Sequence, residues 1–533
     1  MKILFVWDSG EYLRFYDSVV EECVARGHEV SLAVVNDSYK KPVGVEGLKA
    51  AYADRVRVLG VVPEHQGTWG AVAQGLRGIM DFARYLHPRF AAATSLRARM
   101  KRKVLPEGFH WLDAIPQMAP SRVEAVERFL MAAERAIPVC KPIAEFLDVA
   151  APDVVLVSPL IDAASEQVDL IKAARARGIR SAACVASWDN LTNKGLLRVE
   201  PDRVIVWNEV QKREAVEYHY IPEQKVVATG AQLFDRWFMK TTTRDRKAFC
   251  ERVGLRDERP FLLFTGSSSF ISESKAEVAF VRRWIDALRE SGDAFLKDIN
   301  ILVRPHPYNC HAWDPDPLAD LPGAAFFPRT GYNPIDPDNR ADFFDSMYHS
   351  TAIVGINTSA MIEAAIIGRP VFSMLAEEFS GTQEGTIHFH HLLPENGGCV
   401  RIASTLDEHV AQLSDRLRDP EAARAETRRF IGSFIRPHGI DRPATPIFVD
   451  AIERLAAAPA PAPQPAPSYG FLLRPLILAA AAPGALYVWM TRPNPLKPVR
   501  RWGRRSVHRT GKATSKWWQR SILKPLRTRR WTP

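Results

Sequence analysis

The feature that most constrains this chain is its alternation of short, largely apolar runs with helix-length amphipathic segments. Ile3–Val6, Glu29–Val35, Val154–Val157, Ser181–Val185 and Arg203–Trp207 form one series of such runs, and Phe261–Phe264, Ile299–Val303, Ala352–Val354 and Val371–Ser373 form a second. Helical patterns lie between them, such as Glu11–Arg26 closed by Gly27 and Ser359–Ile367 closed by Gly368. Short buried strands alternating with helices imply parallel sheets joined by right-handed crossovers. The two series predict an α/β protein of two Rossmann-like, doubly wound domains facing a cleft, spanning 1–240 and 241–455. The 533 residues are ample for two such domains. In sheets of this type ligands bind outside the carboxyl ends of the strands, so residues just after each run are the first candidates for function.

Charge divides the chain unevenly. Fifteen of the 71 Lys and Arg residues lie after position 468, where there is no Asp or Glu, which leaves 56 basic against 61 acidic residues before it. The body is therefore mildly acidic, and no basic groove for nucleic acid is expected across it. The stretch AAAPAPAPQPAPS over 456–468 reads as a stiff, extended spacer. Beyond it, 469–533 combines an apolar run, Pro475–Met490, with fourteen basic residues and with Trp489, Trp502, Trp517, Trp518 and Trp531. Sixteen uncharged residues interrupted by Pro483-Gly484 fall short of a straight bilayer span. The mixture suits an anionic membrane surface and predicts a monotopic anchor with body and tail on the cytoplasmic face. The six cysteines are scattered without a CxxC pair, and MKILFVWDSG opens as a strand rather than a secretory signal, so a reducing cytoplasm is the expected compartment.

Five segments carry candidate chemistry. Asp8 and Glu11 follow the first run and are placed for general-base work, although Asp8 or Ser9 would serve equally as a helix cap. SWDNLTNKG follows another run, and offers Asp189 as a proton acceptor with Ser187, Asn190 and Lys194 for hydroxyls or an anion. Gly266, Ser267 and Ser268 form a small-residue loop before a helix expected near Ser272, a setting for phosphate, without the Lys of a Walker motif. Arg304 and His306 in RPHP provide a cation and an imidazole suited to a diphosphate. Asn357, Thr358 and Ser359 start a helix in which Glu363, one turn on, is placed for ribose hydroxyls. Asp314-Pro-Asp316 and Asp336-Pro-Asp338 read as turns rather than metal ligands, and His388 and His390, on one face of an expected strand, lack a clear third ligand. His388 is kept as a substrate contact, and no metal or cofactor is expected.

As an ordered set, MKILFVWDSG…ARGHEV, GSSS, RPHP and NTSAMIEAAIIGRPV resemble the GT-B glycosyltransferase superfamily over roughly residues 1–455. The carboxyl half is similar to bacterial surface-polysaccharide transferases, including the CDP-glycerol glycerophosphotransferase-like group, and to the UDP-N-acetylglucosamine 2-epimerase fold. The resemblance implies a metal-independent enzyme that moves a sugar from a nucleotide-sugar donor to a lipid-linked or polysaccharide acceptor. It also implies that His306, Thr358 and Ser359 hold the donor phosphates and Glu363 the ribose. No acidic base motif stands at the family position, which leaves the base open among Asp8, Glu11 and Asp189. The alternatives are a UDP-sugar 2-epimerase or a glycerophosphotransferase on the same fold, and a non-catalytic membrane scaffold.

Overall fold

The computed structural model describes residues 1–37, 43–52, 55–162, 165–307, 309–331 and 336–490. The predicted tail beyond 490, with four of its tryptophans and all fourteen of its closing basic residues, lies outside the described residues. The amino-terminal sheet contains β1 (Lys2–Ser9), β2 (Glu29–Asn36), β3 (Arg57–Val61), β4 (Val154–Ser158), β5 (Arg180–Cys184), β6 (Arg203–Val206) and β7 (Val226–Ala228), in the order 3-2-1-4-5-6-7. The second sheet contains β8 (Phe261–Thr265), β9 (Asn300–Arg304), β10 (Ala324–Phe326), β11 (Ala352–Gly355), β12 (Val371–Met374) and β13 (Val400–Ala403), in the order 10-9-8-11-12-13. Every pairing is parallel. Each sheet therefore reverses its winding once, between β1 and β4 and between β8 and β11, and a crevice opens at each reversal.

The apolar runs become the central strands because their residues are buried on both faces, as the unbroken burial of β4, β8, β9 and β11 shows. The strands without an obvious run are β3, β7, β10 and β13, which are the four sheet edges. They are short and partly exposed, so neither length nor hydrophobicity marks them. The segment between β3 and β4 holds a helical insertion, Gly67–Ala83, Thr94–Lys103 and Pro120–Ala136.

Two expected boundaries change. The unit predicted as 241–455 ends earlier, because the Ala444–Ala457 helix crosses back to the amino-terminal sheet. Its Phe448, Val449, Ile452 and Leu455 join Ile3, Phe5, Tyr16 and Val20 in one core cluster. The Ala/Pro stretch has no regular secondary structure after the helix that ends at Ala457, and it is tied to the first domain. Gln464 N–H donates to the Arg175 carbonyl at 3.0 Å, and Arg180 Nε donates to the Ala458 carbonyl at 2.8 Å. It runs along the first domain and delivers the Gly470–Met490 helix to the insertion. Among the described residues no helix is long and apolar enough to cross a membrane.

Phe448 is 1% exposed in the amino-terminal core. Phe448→Ala should cost about 3–5 kcal/mol in denaturant unfolding. A loss below about 1 kcal/mol would mean that the crossing helix is not part of that core.

Candidate functional site

The loops at the two reversals face each other, and on the amino-terminal side charge gathers around Lys194. Its Nζ lies 3.3 Å from Asp162 Oδ1, and Asp189 and Asp8 also bear on it electrostatically. Burial alone would lower this amine, but the surrounding carboxylates outweigh it and hold Lys194 charged. Asp162 follows β4, across the sheet reversal from Asp8. Burial pushes its carboxyl up, and Lys194 and Lys103 more than reverse the effect, leaving it below the usual carboxylate range.

Asp8 does not sit in a loop as expected. β1 continues through Ser9, in register with β2 to Asn36, and Asn36 Nδ2 donates to Asp8 Oδ1 at 3.1 Å. The chain then turns at Gly10, where a Cβ would come within 2.4 Å of the Val43 carbonyl oxygen. Glu11 lies half-buried in the 3-10 turn Gly10–Tyr12, and Ser9 makes no capping bond, so the cap reading does not hold for it.

Asp189 is fixed from within its own segment. Ser187 Oγ donates to Oδ1 at 2.6 Å and Asn193 Nδ2 to Oδ2 at 2.9 Å. Burial raises this carboxyl, but His388, Lys194 and these two donors together hold it below its ordinary range. Ser187 therefore acts on Asp189 rather than reaching outward. Asn190 is a correction. It is 2% exposed, and its Oδ1 accepts the N–H groups of Ala186 (3.1 Å) and Ser187 (3.2 Å), closing the turn instead of binding hydroxyls.

The whole 187–198 segment is gripped from beneath by the insertion. Arg84 donates to the carbonyls of Lys194, Gly195 and Leu191 at 2.7, 2.8 and 2.9 Å. The Asp81 carboxylate accepts the Leu196 N–H at 3.0 Å and pairs with Arg198.

On the carboxyl-terminal side three expectations are corrected. The Gly266–Ser268 loop does not present its first amides to an anion, because Gly266 N–H donates to the Arg304 carbonyl at 2.8 Å and Ser267 N–H to Glu277 Oε1 at 2.7 Å. The following helix starts at Ser274, after a turn in which the Ser268 carbonyl accepts from Ile271 and Ser272. Arg304 belongs to β9, paired with Thr265. Its guanidinium is buried between Phe343 and Phe327 and donates to the Asp342 carbonyl at 3.4 Å, so it braces the Pro337–His349 helix. Asn357 is likewise internal. It donates to the Thr382 carbonyl at 2.7 Å and lies 3.4 Å from His388 Nε2.

Thr358 and Ser359 remain at the cleft, half-buried and exposed respectively. Thr358 Oγ1 accepts the Ala360 N–H at 3.4 Å, while Ser359 makes no capping bond. His306 is lowered to about 4 by burial and by the charge of Arg14, an exposed side chain of the first domain that lies over the Phe15 ring. At neutral pH it is an uncharged hydrogen-bonding group, and Arg14 supplies the positive charge. Glu363 is pushed up to about 8 by burial, against the opposing charges of Arg14, Lys240 and Arg340. It is a neutral acid at pH 7, able both to donate and to accept.

The domains meet at His388. It sits in a 3-10 turn, Ile387–Leu392, not in a strand, so the expected sharing of a face with His390 does not arise. The ring of His388 is buried edge-on to Trp188 at 4.8 Å, whereas His390 Nε2 lies at the surface beside the Glu384 carbonyl and His391 Nε2 is 2.5 Å from Glu214 Oε1. His388 Nδ1 has no hydrogen-bonding partner among the described residues, and burial lowers the group to about 4.

Asp316 accepts the Leu318 N–H at 2.9 Å, Asp336 caps the Pro337–His349 helix, and no group of metal-ligating side chains occurs among the described residues. A cavity of 540 Å³ lies elsewhere, lined by Phe238, Ile367, Arg424, Arg428 and Arg436, and shares no residue with the cleft set.

Sequence reasoning missed Asp162, Lys103 and Arg14. Asp162 had a usable signal, a carboxylate four residues beyond the end of β4. Arg14 had none, because only the facing of the domains lets its charge bear on His306.

No family model matches the chain, and no curated protein matches it. Solved structures similar to it include a UDP-GlcNAc 2-epimerase from Neisseria meningitidis bound to UDP-GlcNAc, at 13% identity and a TM-score of 0.48, covering 85% of this chain and 100% of the other. A glycosyltransferase from Rickettsia africae is similar at 13% identity and a TM-score of 0.46, covering 86% and 98%. WaaG, a glycosyltransferase involved in lipopolysaccharide biosynthesis, is similar at 12% identity and a TM-score of 0.43, covering 86% and 100%.

The elevated Glu363 gives a pH signature. Because its folded value, about 8, exceeds the ordinary 4.5, the native state binds the extra proton between these values and loses stability as pH rises. Glu363→Gln removes that loss. Its stability relative to the parent should increase through this window and level off above it, read as melting temperature against pH. A constant difference would place Glu363 in a less buried setting.

Proposed function

We propose that this chain is a nucleotide-sugar-dependent glycosyltransferase that acts on a lipid-linked or polysaccharide acceptor at an anionic membrane face. The observation that carries the reading is the pairing of two unlike crevices across one cleft. One is rich in carboxylates around Lys194, and the other offers hydroxyls, a neutral imidazole and a protonated Glu363, within the field of the Arg14 cation. Thr358, Ser359 and His306 would hydrogen-bond the donor phosphates, with Arg14 neutralising charge as the diphosphate leaves. Glu363, which both donates and accepts, suits the vicinal hydroxyls of a ribose.

Across the cleft the acceptor hydroxyl needs a base and an orienting group. Asp189, fixed by two donors and held ionised, is built to orient, and Asp8 and Glu11 remain the groups to take the proton. Asp162, charge-paired with Lys194, sets the field in which they act. The body is assigned to 1–443 together with the returning 444–457 helix, with the first domain taking the acceptor and the second the donor.

Thermal shift of the full chain with a panel of nucleoside diphosphates tests donor binding, since a ligand at a hundredfold excess over Kd stabilises by about 2.7 kcal/mol. His306→Ala and Ser359→Ala should weaken that binding while the fold survives. Abolition by EDTA, reproduced by Asp314→Ala, would overturn metal independence. Asp8→Asn and Asp189→Asn should leave donor affinity intact, and at least one should lower turnover by about 10²-fold. Full activity in both would remove the assignment. Inversion of the donor sugar at C2 without any acceptor would reassign the enzyme as an epimerase.

A further inference from the structure

The Gly470–Met490 helix does not hang from the body. It rests on the Gly67–Ala83 and Pro120–Ala136 helices and on the 3-10 turn Glu107–Ala114. Ile477 and Ala481 pack with Trp69, Val72, Ala73, Leu76 and Ile137, and Arg474 Nε donates to the Ala136 carbonyl at 2.8 Å. Over 470–482, the described part of the helix, that stripe is the covered side. Phe471, Leu472 and Leu476 are 81%, 70% and 64% exposed on the opposite side. A helix apolar all round belongs where every side is covered, and here one side faces out.

The elements beneath it show the same character. Phe129 on the Pro120–Ala136 helix is 61% exposed and Trp111 in the 107–114 turn is 62% exposed. Exposed aromatic and aliphatic side chains concentrated on adjoining elements mark an interaction surface. Charge identifies the partner. Arg122, Arg128 and Arg135 are exposed on the same helix as Phe129, and residues 491–533 add fourteen Lys or Arg with no Asp or Glu. Apolar side chains bordered by cations match the headgroup and acyl boundary of an anionic bilayer, whereas a nucleic acid would leave the leucines unused.

We infer that Trp111 and Phe129 of the amino-terminal domain, together with Phe471, Leu472 and Leu476 of the carboxyl-terminal helix, dock this protein onto an anionic lipid surface, so that the body itself contacts the bilayer. The inference rests on the proposed membrane setting of the enzyme and extends it from the carboxyl-terminal segment to the insertion. The domain assigned to the acceptor then lies nearest the lipid.

The full chain should sediment with vesicles of phosphatidylcholine containing about one-third phosphatidylglycerol, and much less with phosphatidylcholine alone. Trp111→Glu with Phe129→Glu, and separately Leu472→Glu with Leu476→Glu, should each reduce partitioning about tenfold or more, with unchanged melting temperature. Because all six native cysteines are buried, Phe129→Cys can be labelled selectively with a polarity-sensitive dye, whose emission should shift to the blue on vesicles. Parent-like partitioning of the Trp111→Glu/Phe129→Glu pair, an unmoved dye, or preference for RNA over vesicles in competition would overturn the inference. Nucleotide binding measured on the same variants separates the two readings. If docking fails and nucleotide binding persists, only the docking surface falls. If vesicles bind and no nucleotide does, the enzymatic reading falls instead.

Discussion

The site depends on buried guanidinium groups that act as fasteners. Arg84 satisfies three carbonyls of the 191–195 backbone at once, and Asp81 ties Arg198 and the Leu196 amide to the same helical insertion. A loop of turn formers would otherwise sample many conformations, and each ordered residue costs about 1–2 kcal/mol of backbone entropy. Multidentate Arg contacts lose less freedom per bond than separate flexible donors would. Removing one partner from such a buried pair typically costs about 3–5 kcal/mol, because the other charge is left unsolvated. The insertion therefore has a second task besides covering the sheet. It fixes where Asp189 and Lys194 point.

The two sides of the cleft divide the chemistry by environment. On the first, carboxylates and lysines neutralise one another and stay ionised despite burial. On the second, burial wins, leaving an uncharged His306 and a protonated Glu363. A polyanion entering the second side meets hydrogen-bond donors rather than competing carboxylate charge, and its balancing cation, Arg14, comes from the opposite domain. Complete assembly of that side thus requires the domains to be together, as they are around His388 and Trp188.

Most of the architecture was legible because central strands in a doubly wound sheet must be apolar on both faces. The edge strands β3 and β10 and the positions of the helical insertion were not, since partial exposure removes that signal. At the site, the sequence located the right segments but could not say where each strand stopped. Arg304 follows the apolar NILV directly, and a strand ending at Val303 would have left its side chain free for the cleft. Pairing with Thr265 carries the strand one residue further, so the guanidinium enters a sheet face covered by the Pro337–His349 helix. Asp8 moved into β1 by a longer overrun, since the run ending at Val6 continues as a strand to Ser9. Asn190 was misread for a different reason, since a turn that consumes its own side-chain amide looks identical in sequence to one that offers it outward.

The Ala444–Ala457 helix, which returns to the first domain, means that the chain passes between the domains twice. A single tether would act as a swivel, permitting twist, slide and separation alike. The two crossings are fastened side by side, because Asp235 accepts the Ala444 and Thr445 N–H groups at 3.0 and 2.6 Å, so bending there would open and shut the opposite rim. Such bending would weaken the influence of Arg14 on His306 and of Asp189 on His388 together. Proteolytic nicking of either crossing would not release a domain, because the other still holds it.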